Sequence, residues 1–338
     1  MKIQRIHIKN FKSIVDLEII EPNPFTVFVG PNGSGKSNIF EALEFFWGDG
    51  LEIRLFGGAE KLQNRILPIS ENFKFFFQAD IFDSGIIEDS YFSEYQERIL
   101  RDSLAINSKY SDENALQMIR EINSRNRAYE EFRKNNTSRI FIGNKAKQKI
   151  NYDDDSKLNF SASNLEKVLK RVLQDDEKKQ EIRGWLDLFI PGFERVEIIS
   201  SELSSTDTLV MYEKGVQKPF TKDLLSDGTY NILALLTAVY QSDQPQFLCI
   251  EEPENGLNPY VIRKLVDFFR DACEEKGHYI WLNTHSGTLV DCLTPEEVIL
   301  VDKAGGQTQI KQLKGLNLHG LDMAEAWLSG ALGGGTPW

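Results

Sequence analysis

The sequence predicts an α/β protein built on a mostly parallel sheet, with a mixed second lobe. Three observations predict it. An apolar run, Phe25–Val29, delivers the chain into GPNGSGKS at Gly30–Ser37, and a run of helical spacing follows at once. A second strand–loop–helix–strand succession fills residues 247–282. Between them, residues 51–160 are more weakly patterned. Strands that alternate with helices imply parallel pairing, because each crossover helix returns the chain to the same end of the sheet.

Each element has its own reason. KIQRIHI (2–8) alternates polar and apolar, as a half-buried strand does, and Ile14–Ile20 reads as its neighbour. The turn Glu21-Pro22-Asn23-Pro24 leads into the buried strand Phe25–Val29. Ile39, Phe40, Leu43 and Phe46–Trp47 share a helix face that Gly48-Asp49-Gly50 ends. Phe73–Phe77 is strand-like, Glu94–Ala105 and Asn114–Lys134 helical, and Arg139–Ile142 a short strand. Helices are expected at Asn164–Lys179 and Glu181–Ile190, then a hairpin of Val196–Ser200 and Thr208–Glu213. Tyr230–Tyr240 is an apolar helix, Phe247–Glu251 a buried strand and Tyr260–Glu275 a helix. His278–Leu282 and Val298–Val301 complete the strands, and the tail GALGGGTPW reads as loose.

Composition narrows the class. The 338 residues suffice for a full core, as one large domain or two lobes. No apolar stretch approaches the roughly 18 residues of a membrane span, and MKIQRIHIKNF lacks the apolar core of a secretory signal. The three cysteines are far apart and lack metal-site spacing, so free thiols in a reducing cytoplasm are expected. A net charge of −12 argues against a uniform nucleic-acid coat, yet residues 120–149 hold nine cations against three acids. That block is either a solvated face or a surface for DNA or an acidic partner.

Four stretches carry chemistry. Gly30-Pro31-Asn32-Gly33-Ser34-Gly35-Lys36-Ser37 fits the G-x-x-x-x-G-K-[ST] phosphate loop, with a strand before it and a helix after. Glycines let successive N–H groups point at phosphate, and the helix N-terminus adds partial positive charge. Lys36 supplies charge to the β/γ-phosphates and Ser37 an oxygen for Mg²⁺. By itself the loop says ATP or GTP. Phe247–Glu252 is an apolar strand ending in two carboxylates, Glu251 for Mg²⁺ and Glu252 to polarise the attacking water. The ordinary alternative is an acidic turn before Pro253. His285 follows another buried strand, where an imidazole can reach a γ-phosphate or its attacking water, although a lone histidine there is more often structural. Leu225-Ser226-Asp227-Gly228-Thr229 precedes the apolar helix and forms a second anion-binding end. Either it caps a nucleotide held by another subunit, or Ser226 or Asp227 simply caps its own helix.

GPNGSGKSN, LSDGTYNILALL, FLCIEEPENGLNP and NTHSGTL, in this order, resemble the nucleotide-binding domain of ABC-type ATPases. IKNFKSI, Asn38, Glu41-Ala42-Leu43 and HGLDMAEAWLSGALGGG resemble the RecF/SMC-like branch of prokaryotes, the AAA_15/AAA_21 type related to the ATPase portion of OLD-family proteins. The resemblance implies a P-loop NTPase of the ABC ATPase-head type: a mostly parallel sheet, an antiparallel strand layer, a helical lobe and no long coiled coil. It implies a single head over residues 1–338 formed by both chain ends, with residues 85–190 an inserted lobe carrying the basic segment. Gly30–Ser37 would be Walker A and Phe247–Glu252 Walker B, with Glu252, His285 and Lys36 catalytic. Ser226 and Gly228 would act in trans as the signature, with Asn255–Asn258 the dimer-crossing loop. Lys12 matches a basic residue that approaches the phosphates, and Gln78 is the candidate Q-loop glutamine, a metal position beside Ser37 and Glu251. Glu251 stands where many relatives have Asp, and Asp227 where the commoner pattern has Gly, which leaves turnover open.

The resemblance implies ATP and Mg²⁺ as cofactors, a slow ATPase and a head-to-tail dimer in the cytoplasm. Fewer than 190 residues separate Ser37 from Leu225, without heptads, so a long SMC arm is excluded. The 53 residues after His285 hold no convincing carboxylate cluster, so no nuclease is expected within the chain. The expected output is control of a separate effector such as a nuclease or toxin, or of a DNA-associated complex through residues 120–149, with a place in anti-phage defence. A membrane partner is not expected. The alternative is an ATP-binding scaffold with negligible hydrolysis.

Overall fold

The computed structural model describes residues 1–48, 62, 64, 74–79, 87–88, 130–142, 155–201 and 206–332. The expected helix Glu94–Ala105, most of Asn114–Lys134, most of the basic segment and the end of the tail lie outside them. The chain divides into two compact units. The first comprises Met1–Thr137, Thr294–His319 and Ala326–Trp338, and the second Ser138–Leu293 with Gly320–Glu325.

In the first unit, β1 (Ile3–Phe11) and β2 (Ile14–Ile20) pair antiparallel, with Ile8 opposite Leu17. β4 (Lys74–Ala79) pairs with the other edge of β1 and β5 (Ile87–Glu88) follows, giving the order β2-β1-β4-β5. Period-two alternation puts Ile6, Ile8, Phe75 and Phe77 in the core. β3 (Phe25–Val29) is buried throughout and runs parallel to β12 (Val298–Ala304). β12 turns through Gly305-Gly306, both at positive φ, into antiparallel β13 (Gln307–Gln312). β12 runs three residues past the expected Val298–Val301, and β13 has no counterpart among the expected strands. α1 (Lys36–Trp47) presents Phe46 to Phe75 and Phe77 at 5.8 and 6.0 Å, and Phe40 edge-on to Phe28 at 5.4 Å.

In the second unit, β10 (Phe247–Glu251) and β11 (Tyr279–Thr284) are parallel, with Glu251 opposite Asn283. The crossover between them is α5 (Pro259–Lys276). Asn258 caps it by accepting from the Val261 N–H, Pro259 opens its first turn, and Gly277 at φ 67° ends it. β6 (Thr137–Phe141) lies on the other edge of β10. α4 (Asp227–Tyr240) is buried from Asn231 to Tyr240, as its unbroken apolar run requires. β7 (Phe193–Ser201), β8 (Thr206–Glu213) and β9 (Phe220–Thr221) form an antiparallel sheet around the expected hairpin. The expected helix Asn164–Lys179 is instead two helices. α2 (Leu165–Val172) stops, and α3 (Asp176–Phe189) starts afresh because the Asp175 side chain accepts from the Glu177 and Lys178 N–H groups. Among the described residues no helix exceeds the 18 residues of α5, and none is long and apolar enough to cross a membrane.

Candidate functional site

The phosphate loop lies wholly in the first unit, and its shape follows from its glycines. A Cβ on Gly30 would stand 2.0 Å from the Val301 carbonyl oxygen of β12, so only glycine lets the chain leave β3 there. Gly33 and Gly35 sit at φ 81° and 104°, where other residues are strained. α1 begins at Lys36 with no capping side chain and no acid in its first turn, so its positive end is not offset by its own residues. Lys36 is buried, and its Nζ donates to the carbonyls of Gly30 (2.6 Å) and Pro31 (3.0 Å). Ser34 is buried too, and its Oγ has no hydrogen-bond partner. An uncapped helix end, an ammonium held on two backbone carbonyls and an orphaned hydroxyl fit a polyphosphate.

The loop is braced by Asn38, which the resemblance marks, and by Ser13 and Thr308, for which no role was expected. Thr308 of β13 donates to the Ser34 carbonyl at 2.9 Å. Its hydroxyl has one proton, so at 2.6 Å Ser13 must donate to Thr308, and Asn38 Nδ2 donates to Ser13 at 2.6 Å. This one-way chain locks the loop between the β1–β2 turn and β13. The missed signal was Gly-Gly between two alternating runs, a mark of a hairpin. Asn32, Gly33 and Ser37 are exposed. Lys12, at φ 48°, pairs its ammonium with Glu41 of α1. Gln78 alternates away from Phe75 and Phe77, so it occupies the face of β4 opposite α1.

The carboxylates, the histidine and the second glycine motif lie in the second unit, where the fold brings them close. Glu251 and Glu252 diverge at the end of β10. Glu251 is buried, and its Oε1 accepts from Arg139 Nε of β6 at 2.6 Å and from Nη2. Glu252 has a φ of 47°, unusual for a non-glycine residue. It is held there by its N–H, which donates to the Asn283 carbonyl (3.0 Å) and side-chain oxygen (3.2 Å). Its Oε2 accepts from Asn255 Nδ2 at 3.0 Å, and its Oε1 lies 3.7 Å from His285 Nδ1. His285 is exposed and Glu252 half-buried, so water reaches both. Below them, buried Glu254 accepts from the Thr284 hydroxyl, which in turn accepts from the Ser286 N–H at 2.9 Å. Burial pushes the Glu254 carboxyl above its ordinary range.

Ser226 caps its own helix, accepting from the Thr229 N–H at 3.1 Å, and remains exposed beside Asp227. Gly228 is required by contact, since a Cβ there would come within 2.4 Å of the Gly256 carbonyl oxygen. Asn231, one turn on, donates to the carbonyls of Pro253 (3.1 Å) and Asn255 (2.8 Å). Residues 253–257 are thereby fastened to the first turns of α4. Asn231 was legible as a lone amide in an apolar helix.

The expected basic surface is corrected at two positions. Arg133 donates to the Trp47 and Gly48 carbonyls at the end of α1 and pairs with Glu130. Arg139 is spent on Glu251, with its guanidinium 4.8 Å from the Phe160 ring centroid. The three cysteines are free, as expected. Among the described residues no group of three or more His, Cys, Asp or Glu forms a ready metal site.

Fold and motif set together define an α/β ATPase head of the RecF/SMC-like, ABC type. The chain belongs to the family described as "AAA domain, putative AbiEii toxin, Type IV TA system", whose model matches residues 25–291. One stretch of 46 residues is 52% identical to the chromosome partition protein Smc of Methanocaldococcus jannaschii, covering 14% of this chain and 4% of that one. A match of 48 residues is 46% identical to the chromosome partition protein Smc of Methanococcus voltae, with the same coverage. The match therefore spans a small fraction of those relatives' length. A solved Smc head bound to the C-terminal winged-helix domain of ScpA superposes with a TM-score of 0.55 at 15% identity, over 92% of this chain and 98% of that one. That likeness concerns the fold.

Proposed function

We propose that the chain binds ATP with Mg²⁺ and hydrolyses it slowly, as a head-to-tail pair of copies that governs a separate effector protein. Glu252 carries the reading. A carboxylate fixed through a strained backbone, oriented by Asn255 and 3.7 Å from an exposed imidazole is arranged to accept a proton from water. Gly30–Ser37 would cradle the phosphates, with Lys36 leaving its carbonyls for them. Ser37 and Glu251 are the residues that would hold Mg²⁺, which supplies charge neutralisation at the phosphates. Lys12, Gln78, Ser226 and Gly228 keep the roles that resemblance implies, the last two across the pair of copies. The effector would be a nuclease or toxin, the setting cytoplasmic and the context anti-phage defence. DNA contact would fall to the cations of 120–149 other than Arg133 and Arg139.

A second reading, an ATP-binding scaffold with negligible turnover, is favoured by Arg139 on Glu251 and by Ser226 being spent on its own helix. Turnover of wild type beside Glu252→Gln decides, with ATP binding measured separately. The enzyme reading expects a loss of at least about 100-fold with binding retained. Equal rates in the two proteins, with ATP still bound, would establish the scaffold instead.

A further inference from the structure

Glu254 is a buried acid that the proposed chemistry does not use. It lies in the turn after Glu252, where the Asn255 N–H donates to the Glu252 carbonyl at 3.1 Å and the Leu257 N–H to the Glu254 carbonyl at 3.0 Å. Its side chain leaves that turn and accepts, through Oε1, from the hydroxyl of Thr284, the residue before His285. Thr284 is fully buried and its oxygen already accepts the Ser286 N–H at 2.9 Å, so its single proton serves Glu254. Oε2 has no hydrogen-bond partner among the described residues. An apolar side chain would be buried there at lower cost, so the acid is explained by the one bond it makes. Burial, reinforced by the charge of Glu252, raises its pKa, and an uncharged carboxyl accepts through its carbonyl oxygen as a glutamine amide does. That bond is the second of two between the same loops. The first is the Glu252 N–H on the Asn283 carbonyl and side-chain oxygen. Loops joined at one point turn about it. Joined at two, they hold Glu252 Oε1 and His285 Nδ1 at a set separation, here 3.7 Å.

We propose that Glu254 is a positioning residue, which fastens the His285 loop to the Glu252 turn and so fixes the separation of carboxylate and imidazole. The role rests on the reading of Glu252 and His285 as the pair that works on the attacking water. A misplacement of about 1 Å between such groups costs up to about 100-fold in rate, whereas the grip on the nucleotide at Gly30–Ser37 is untouched. Loss of the fastening therefore lowers kcat and leaves KM in place.

Steady-state ATP turnover of the full chain is measured for Glu254→Leu, Glu254→Gln and Thr284→Val, beside native-state exchange of the Glu252 and Ser286 amides without nucleotide. Glu254→Leu and Thr284→Val should each lower kcat at least about tenfold, with KM within about twofold of wild type. The double variant Glu254→Leu/Thr284→Val should be no slower than either single one, because both remove the same bond. Glu254→Gln, which keeps the acceptor oxygen, should restore most of kcat. In Glu254→Leu and Thr284→Val the two amides should exchange at least about tenfold faster than in wild type, while the amides of β8 keep their rates. Glu254→Gln should return both amides to wild-type protection. Should Glu254→Leu not fold, Thr284→Val carries both measurements. Full kcat in whichever of the two folds, Glu254→Gln as slow as Glu254→Leu, or a Glu252 amide that keeps its protection would overturn the proposal and leave Glu254 a contact of the fold alone. A wild type without turnover would count against the proposed ATPase, and amide exchange would still decide whether Glu254 fastens the two loops.

Discussion

The glycines of the phosphate loop are required for different reasons, and substitution should separate them. A methyl on Gly30 meets a backbone carbonyl that β12 holds in place, whereas Gly33 has open space and only its φ of 81° to object. Gly33→Ala should therefore cost about 1 kcal/mol, and Gly30→Ala about 3 kcal/mol. Chemical denaturation checks both, and loss of analogue binding is expected for Gly30→Ala. A second single-residue effect is independent of the site. His278 is buried, its Nδ1 accepting from the Gln246 N–H and its Nε2 facing the Val239 carbonyl. Burial lowers its pKa to about 4. The unfolded chain takes up this proton first, so stability should be full above about pH 6.5 and decline by about 3 kcal/mol as pH falls toward 4. His278→Gln should flatten that part of the pH profile of unfolding, and an unchanged slope would refute the assignment.

Elements brace one another through single polar side chains. Thr308 is the only described residue of β13 whose side chain is seen to donate to the phosphate loop, so Thr308→Val tests whether that hairpin shapes the site. The swap keeps volume and leaves the Ser34 carbonyl and the Ser13 hydroxyl short of a partner, for about 1–2 kcal/mol. If β13 sets the loop's shape, affinity for the ATP analogue falls with stability, and a stability loss alone would make the hairpin mere packing. Asn231 does the equivalent for residues 253–257. Its two carbonyl contacts set where Asn255 stands, and Asn255 in turn orients Glu252.

At the scale of the molecule, the phosphate loop belongs to one compact unit, and Glu252, His285 and Ser226 belong to the other. The proposed pairing of two copies makes a direct prediction. Native mass of Glu252→Gln should double on adding ATP with Mg²⁺ and stay single with ADP, because the uncleaved nucleotide would hold the pair closed. An ATP-independent mass would remove the head-to-tail cycle. Charge at this scale also gained definition. Of the nine cations between 120 and 149, Arg133 caps α1 and Arg139 neutralises Glu251, so reversal of Arg133 should lower stability before it alters any DNA affinity.

The sequence by itself determined the strands and helices that flank the motifs, though not β13 or the break between α2 and α3. Gly30–Ser37 between strand and helix, the carboxylates after Phe247–Ile250 and the histidine after β11 were legible because local periodicity and turn chemistry depend on neighbouring residues. Gly228 was visible as part of a motif, while its reason, a carbonyl 2.4 Å from any Cβ, was not. Tertiary structure alone decided which polar groups satisfy one another. Arg139 lies 112 positions from Glu251, and Ser13 lies 295 from Thr308. Such partners are chosen by burial, which forces each charge or hydroxyl to find whatever the fold brings beside it. A basic run therefore read as surface, although Arg139 is an internal counter-charge and Arg133 holds two carbonyls at the end of α1.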